Sequence, residues 1–160
     1  MSWGKRTIQG TEYTFHHLEP FTIVVDGKRV RVTLGAHVFS RERKPGDGAD
    51  LLFMDGRTRR TFCQTRYGHC LHLPAVIMHE AAGYVFSNHS KYVFKGKLPG
   101  LPGPYVVAFE MRRSNSPKYD AKIQVVSAHH RQKAAFMPRC SLIDAMGAVI
   151  AGTPVPWVKK

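Results

Sequence analysis

The chain has 160 residues, 43% of them hydrophobic and 22% charged, which is the composition of a folded globular domain and excludes a disordered chain. Its 24 Lys and Arg outnumber 11 Asp and Glu, so the net charge is +13. Such a charge favours polyanionic partners, with nucleic acid first and an acidic protein second. The sequence shows no apolar run long enough to span a bilayer and no apolar signal segment, so we expect no membrane partner and a cytoplasmic location.

The first forty residues are predicted to form a polar arm followed by a β-hairpin. Residues 1–19 are polar and irregular, and we expect a short helix or a loosely attached arm there. Asp26-Gly27 joins the β-rich runs FTIVV and KRVRVTL, which predicts a type I′ hairpin turn. Residues 21–40 are therefore interpreted as a hairpin and its continuing strand.

The second strand of this hairpin is predicted to have one apolar and one basic face. Its valines alternate with Arg29 and Arg31, the pattern of a half-buried strand. If the strand continues through Gly35, His37 lies on the basic face. A bulge at Gly35 would reverse that assignment.

The middle of the chain is predicted to hold a loop, a second hairpin and the main helix. Residues 41–50 are charged and contain Pro and Gly, which is typical of a flexible insertion. A hairpin is expected around Asp55-Gly56. From Gln64 to Ala82 apolar residues recur at helical spacing, and Pro74 should kink this helix or split it into two pieces.

The remaining segments complete an α+β fold. YVFS, KYVFK, YVVAFEMRR and DAKIQVVSA are predicted strands, and SLIDAMGAVIA is a predicted short helix before a tail of residues 153–160. We expect a mainly antiparallel sheet, packed by one long helix with a kink or split at Pro74 and by the short C-terminal helix. Residues 1–160 are predicted to form a single domain.

Two groups of arginines are candidates for nucleic-acid binding. Arg29 and Arg31 stand about 7 Å apart on one strand face, a spacing suited to a phosphate backbone. The second group comprises Arg57, Arg59, Arg60 and Arg66. It lies at the entrance of the helix and could hold a phosphodiester at the helix N-terminus. The alternatives are a solvated outer sheet face for the first group and a solubilising surface patch for the second.

Nine histidines supply candidate acids and bases, and His37 ranks first because it follows the basic row. Metal chemistry is less favoured. Cys63, Cys70 and His72 could ligate zinc in principle, but their spacing does not match the usual zinc patterns. The few scattered carboxylates do not suit magnesium. We therefore predict no metal and no cofactor, with the odd number of cysteines present as free thiols.

This set of residue types favours RNA over DNA as a substrate. The 2′-hydroxyl of RNA can attack the adjacent phosphate without a metal if the protein supplies a base, an acid and cations. DNA lacks that hydroxyl and usually requires a metal or a covalent nucleophile.

Three segments resemble a group of small phage- and prophage-associated proteins of the barnase/EndoU/colicin E5/RelE class of nuclease folds. They are GAHVFS (35–40), RTFCQTRYGHCLHLPAVI (60–77) and IQVVSAHH (123–130). The resemblance implies one or two helices against a four-stranded antiparallel sheet. It also implies that His37 is a catalytic base or acid, that Arg60 and Arg66 bind phosphate, and that Ser127 positions the phosphate or donates a hydrogen bond to it.

The sequence thus predicts a metal-independent endoribonuclease-like domain, a hydrolase that acts on RNA through a basic surface, as a toxin or phage effector would. Two alternatives remain open. One is a non-catalytic nucleic-acid-binding module that uses the same surface. The other is an interaction protein that docks on an acidic partner.

Overall fold

The computed structural model describes residues 3–159, so the first two residues of the expected arm and the last residue of the expected tail lie outside the described part. The helices are α1 (Gln64–Cys70), α2 (Leu73–Glu80) and α3 (Leu142–Ala151). The strands are β1 (Lys5–Ile8), β2 (Thr11–Thr14), β3 (Phe21–Val25), β4 (Lys28–Leu34), β5 (Ser40–Glu42), β6 (Leu52–Asp55), β7 (Thr58–Phe62), β8 (Tyr84–Asn88), β9 (Lys91–Gly96), β10 (Tyr105–Arg113), β11 (Ala121–His130) and β12 (Arg139–Ser141).

The strands form one large sheet and two small ones. The large sheet has the order β12-β8-β9-β10-β11-β4-β3, the second has the order β5-β7-β6, and β1 pairs with β2. Every strand pair in these sheets is antiparallel except β4 with β11, which is parallel. The α+β class and the mainly antiparallel sheet are therefore confirmed.

The three helices cover one face of the large sheet. β10 alternates strictly, with Val107 and Phe109 buried and the residues between them half-exposed. The helix α2 contacts β9, and α3 contacts β10. Leu142 and Met146 of α3 join Phe109 in the hydrophobic core. The opposite face of the central strands stays open to solvent, and it carries the charged residues of the hairpin predicted at residues 21–40.

The predicted long helix is wrong in its length, because two short helices replace it. The first ends at Cys70, and the second begins at Leu73, one residue before Pro74. Proline lacks the N–H that a helix interior needs, whereas the first turn of a helix leaves that group unused. Pro74 therefore starts a new helix, which is the split that the sequence left open beside a kink.

The N-terminal arm is also corrected. Residues 5–14 form the hairpin β1–β2, whose turn at Gln9 and Gly10 has φ values of 50° and 81°. Both angles lie in the left-handed region that a tight hairpin turn requires. Within residues 3–19, which the structure describes, the only helical piece is a single 3₁₀ turn, His16–Leu18. Apolar side chains that are spread along a polar sequence hold the hairpin against the rest of the protein.

The two other predicted hairpins are confirmed. Asp26 and Gly27 connect β3 to β4 with φ values of 49° and 75°, as a type I′ turn requires. Strands β6 and β7 pair around the turn that follows Asp55. The charged loop between β5 and the 3₁₀ turn Ala49–Leu51 is hydrogen-bonded around Asp47, which accepts from Arg41 and from the buried hydroxyl of Thr61.

No helix within residues 3–159 combines the length and the apolar character needed to cross a membrane.

Candidate functional site

An aromatic cluster forms the base on which the candidate site is built. It joins the hairpin β1–β2, the three-stranded sheet β5-β7-β6 and the helix α1. Its seven members are Trp3, Tyr13, Phe15, Phe39, Phe53, Phe62 and Tyr67. Phe15 lies at its centre, 1% exposed, with ring centroids 4.9 Å from Phe39 and 5.5 Å from Phe53. Tilted and edge-to-face packing of these rings adds to the stabilisation from burial and holds the backbone of each contributing element in place.

The polar residues that β6 and β7 contribute to the site lie close in sequence to these aromatic anchors. Asp55 follows Phe53 by two residues on β6, and Arg60 precedes Phe62 by two residues on β7. Residues two apart on a strand share a face. The buried rings therefore bring Asp55 and Arg60 to the rim of the cluster, where their charged ends reach solvent.

His37 is placed by a 3₁₀ turn and not by a strand. Strand β4 ends at Leu34, and Ala36–Val38 form the turn. The continuation of the strand to His37, on which its assignment to the basic face depended, does not occur, because the N–H groups of Val38 and Phe39 donate to the carbonyls of Gly35 and Ala36 and close a 3₁₀ turn. Nε2 of His37 lies 2.9 Å from Oδ2 of Asp55, and both side chains are somewhat more than one-third exposed.

Ser40 accepts hydrogen bonds from Arg60 and Arg66, the two arginines to which the resemblance assigns phosphate binding. Arg60 donates from Nε to the Ser40 hydroxyl at 2.8 Å and from Nη2 to the Ser40 carbonyl at 3.0 Å. Arg66 donates to the same carbonyl at 2.6 Å. The hydroxyl of Ser40 in turn donates to the carbonyl of Ala36. A guanidinium has five N–H donors, so these contacts orient both groups and leave donors for an anion.

The four arginines of the predicted second group do not lie together. Arg60 and Arg66 converge, whereas Arg57 lies exposed in the turn between β6 and β7, and Arg59 lies exposed on β7. Arg59 alternates with Arg60 along the strand and so faces away from Ser40. The helix that follows is a single seven-residue piece with no side-chain cap. We therefore assign no phosphate site to its N-terminus.

The end of β11 brings Ser127 and His129 to the same region. The 3₁₀ turn that carries His37 contacts β11. Ala108 pairs with Ser127 while Phe109 pairs with Val125, so Val126 is an extra residue in a bulge. Without this bulge, strict alternation would place Ser127 and His129 on the buried face of Val125. With it, the two residues lie on the open face of the sheet.

The charges of these side chains act on the pKa values of the two histidines. Burial lowers the pKa of His37, and the charges of Arg60 and Arg66 lower it further, while Asp55 opposes them. Burial also lowers the pKa of His129, followed by the charges of Arg66, Arg131 and Arg60 and by His37 itself. Both imidazoles are therefore biased toward the neutral form that can accept a proton.

The contact with Asp55 assigns the proton on His37. A carboxylate only accepts hydrogen bonds, so Nε2 must carry the proton, and Nδ1 of the neutral ring keeps its lone pair. This arrangement provides a proton acceptor at Nδ1, a second imidazole at His129 and two guanidinium groups. These are the groups that acid–base chemistry at a phosphodiester requires.

The predicted basic strand face is a separate surface on the same open side of the sheet. Arg31 lies half-buried and donates to the Tyr119 hydroxyl at 3.2 Å, and Arg29 is exposed with its guanidinium carbon 5.8 Å from the Tyr119 ring centre. Neither arginine has a contact with His37 among the described residues. They extend the positive surface away from the histidines.

The remaining histidines and cysteines are spread over other parts of the molecule. Cys63, Cys70 and Cys140 are free thiols, and burial raises the pKa of the Cys70 thiol to about 12. His17 lies 3.3 Å from the Cys70 sulfur, whereas His72 is the residue directly before α2. In residues 3–159 no group of three or more His, Cys, Asp or Glu side chains is placed to hold a metal ion.

Sequence reasoning missed three parts of this site, namely Asp55, Ser40 and His129. Asp55 is predicted from the sequence only as a turn residue, and Ser40 lies in the segment GAHVFS (35–40) without a predicted role. The pair His129-His130 at the end of a strong strand was a usable signal. It could be connected to His37 only by knowing that β4 and β11 run parallel.

A family model that describes the YjaZ family matches residues 5–144 of the chain, which include every residue of the site. No curated protein and no solved structure matches the chain. Because the match covers most of the sequence, the chain belongs to the YjaZ family.

Proposed function

We propose that this protein is a metal-independent endoribonuclease whose catalytic centre contains His37, His129, Arg60 and Arg66. One observation carries the proposal: hydrogen bonds to Ser40 orient the guanidiniums of Arg60 and Arg66, and the turn that carries His37 packs against β11, the strand that carries His129. These groups come from four separate parts of the chain. Their convergence at a solvent-accessible rim is the arrangement that cleavage of RNA by its own 2′-hydroxyl needs.

The reaction divides between the two imidazoles. Nδ1 of His37 accepts the proton of the 2′-hydroxyl, and the 2′-oxygen forms a bond to the adjacent phosphorus. The bond from phosphorus to the 5′-oxygen breaks, and His129 donates a proton to that oxygen. The products are a 2′,3′-cyclic phosphate and a 5′-hydroxyl. An anionic phosphate beside His129 favours its protonated form, which suits this imidazole to the role of acid.

The arginines and Ser127 act on the phosphate itself. Negative charge accumulates on the non-bridging oxygens during the attack, and Arg60 and Arg66 are positioned to stabilise it through charge-assisted hydrogen bonds. Ser127 shares the outer face of β11 with His129 and supplies a hydroxyl donor to the same phosphate. Asp55 is a positioning residue that orients His37.

The fold supports the predicted resemblance to the barnase/EndoU/colicin E5/RelE class. In this chain α1 and α2 precede the antiparallel meander β8–β9–β10–β11, which is similar to the two helices and four-stranded sheet that the resemblance implies but belongs to a seven-stranded sheet that also contains β12, β4 and β3. We accordingly propose a toxin or phage effector that acts on RNA in the cytoplasm.

A second candidate is a nucleic-acid-binding protein without catalysis. It is favoured by the cationic surface around Arg31, which lies on the open face of the sheet away from the histidines. A protein of this kind would bind RNA through that surface and leave it intact. Docking on an acidic protein partner is a third use of the same charge.

The test compares wild type with His37→Ala on total RNA and on labelled tRNA in the presence of EDTA. We expect cleavage that resists EDTA and that falls by about a hundredfold or more in the variant, because a positioned base contributes on that scale. His79→Ala is the matched control, since His79 lies exposed on α2 and its imidazole is 86% exposed. RNA affinity should be nearly unchanged in both variants.

Three outcomes would decide between the candidates. Cleavage lost only in His37→Ala supports the endoribonuclease. If wild type and His37→Ala both leave RNA intact and bind it equally well, the endoribonuclease proposal is overturned in favour of the binding module. Equal loss of affinity and cleavage in His37→Ala overturns the catalytic role of this histidine.

A further inference from the structure

Three cations lie side by side across the open face of the large sheet. Lys122 on β11 is the register partner of Arg112 on β10 and of Arg31 on β4. Neighbouring strands are about 4.8 Å apart, and like charges directly opposite each other destabilise a sheet. A row of three cations on adjacent central strands is therefore unfavourable in the free protein and is relieved when an anion binds.

A groove of about 240 Å³ surrounds this row. Its remaining walls are Thr33, Gln124 and Glu110, which lie next to the cations on the same three strands. The single carboxylate, Glu110, is engaged by Lys91 and, at 3.0 Å, by Arg112. Because Glu110 is already shared between two cations, the groove as a whole stays positive.

Arg31 is held in position within the groove. Its Nη1 donates to the Tyr119 hydroxyl at 3.2 Å, and its guanidinium carbon lies 5.6 Å from the ring centre of the same residue. A guanidinium fixed in this way loses little conformational freedom when it binds, so more of the interaction energy appears as affinity.

We propose that this groove is a phosphate-binding subsite for single-stranded RNA, remote from the bond that is cleaved. The proposal rests on the proposed function for its substrate class. The outward residues of β11 run from Lys122 and Gln124, past the bulge, to Ser127 and His129. That path is about 20 Å long at the usual rise of a strand, so several nucleotides separate the groove from the histidines.

Single-stranded RNA fits this surface better than a duplex does. Attack by the 2′-hydroxyl requires it to lie in line with the leaving oxygen, and a flexible strand reaches that geometry whereas an A-form helix holds its backbone away from it. A positive surface that follows one extended backbone is also the usual way in which proteins bind single strands without reading their sequence.

The test measures binding of a 2′-O-methyl oligoribonucleotide of about ten nucleotides, a length within the range of known single-strand sites. Such an oligonucleotide cannot be cleaved by its own 2′-oxygen, so binding is measured independently of catalysis. Fluorescence anisotropy over a series of salt concentrations compares wild type with Lys122→Gln. The matched control is Lys97→Gln, since Lys97 is an exposed cation in the cleft beside α2.

We expect Lys122→Gln to weaken binding several-fold and to reduce the slope of log K against log salt by about 0.7, the value for one phosphate contact on a single strand. We also expect the thermal unfolding midpoint of the free variant to rise, because the substitution removes repulsion from Arg31 and Arg112. Lys97→Gln should change neither the slope nor the midpoint. Opposite effects on binding and on stability distinguish a binding residue from a structural one.

The remaining outcomes are equally decisive. If Lys122→Gln has the same affinity and the same salt slope as wild type, the proposed subsite is overturned, whatever the result for His37→Ala. Polyglutamate and unlabelled RNA are also compared as competitors of the labelled oligonucleotide. If polyglutamate displaces it as efficiently as RNA, the assignment to RNA is overturned and an acidic protein partner is favoured. A reduced slope in Lys122→Gln, with RNA that remains uncleaved by wild type, supports the groove and removes the proposed catalysis.

Discussion

At the residue scale, His37 lies in a 3₁₀ turn and depends on Asp55, a carboxylate on β6 of the three-stranded sheet. Its imidazole is buried enough, and near enough to Arg60 and Arg66, for its pKa to fall. Asp55 works against that fall through its charge and through a hydrogen bond. The balance keeps the neutral ring available near neutral pH and defines which nitrogen carries the lone pair.

Replacing Asp55 should therefore lower the pKa of His37 further. Asp55→Asn removes the negative charge that stabilises the imidazolium, while the amide keeps similar size and hydrogen-bonding groups. NMR titration of the His37 ring measures the shift, and the acidic limb of any cleavage profile should move to lower pH with it. Asp26→Asn, in the turn between β3 and β4, is the control and should leave the His37 titration unchanged. A His37 pKa that stays constant in Asp55→Asn would show that the contact does not operate in solution.

At the element scale, the packing of α2 on β9 depends on a glycine. A Cβ built on Gly96 would lie 2.3 Å from Cγ1 of Val76, so the helix and strand approach closely at this point. A glycine in a strand often marks such a close approach of a neighbouring element. The helix α2 in turn contacts α1, which carries Arg66.

Gly96→Ala should destabilise the protein by about 1–3 kcal/mol, because the added methyl overpacks the contact with Val76. Gly68→Ala is the matched control. Nothing lies within 4 Å of a Cβ at Gly68, and this helical position should gain about 0.5–1 kcal/mol from alanine. Urea unfolding monitored by circular dichroism measures both changes. The loss in Gly96→Ala should be smaller when Val76 is also replaced by Ala, and an undiminished loss would contradict the proposed clash.

At the scale of the whole molecule, histidines link stability to pH. Burial is the first cause of a lowered pKa at His17, His37, His69 and His129. The folded state therefore binds fewer protons than the unfolded state, where a histidine has its ordinary pKa of 6.5. Stability is complete above that value and decreases as the pH falls through and below it.

We accordingly expect the urea midpoint to decrease between about pH 7.5 and about pH 5.5, the range in which unperturbed histidines gain their proton. Asp47 and Glu110, the carboxylates with lowered pKa, do not contribute to the change in stability over this pH range. The stability that they provide is lost only at more acidic pH. His129→Gln should reduce the slope of stability against pH in this window. A midpoint that is constant from neutral to mildly acidic pH would contradict the burial of these imidazoles.

The sequence by itself determined the local features of this protein. The type I′ turn at Asp26-Gly27, the alternation along β4 and the short helix α3 all depend on a few adjacent residues, and their physical causes act over that range. The helix from Gln64 onward was predicted with the break at Pro74 unresolved, because a proline permits either a kink or a new start. The excess of positive charge required no structure at all.

Only the tertiary structure decided which residues meet. The parallel pairing of β4 with β11 brings the turn of His37 beside His129, although more than ninety residues separate them in the chain. The bulge at Val126 then turns Ser127 and His129 outward, and a shift by one residue reverses every side chain on a strand. Asp55 and Ser40 join the site through the aromatic cluster beneath them. Such contacts depend on register and on long-range pairing, which local sequence patterns do not encode.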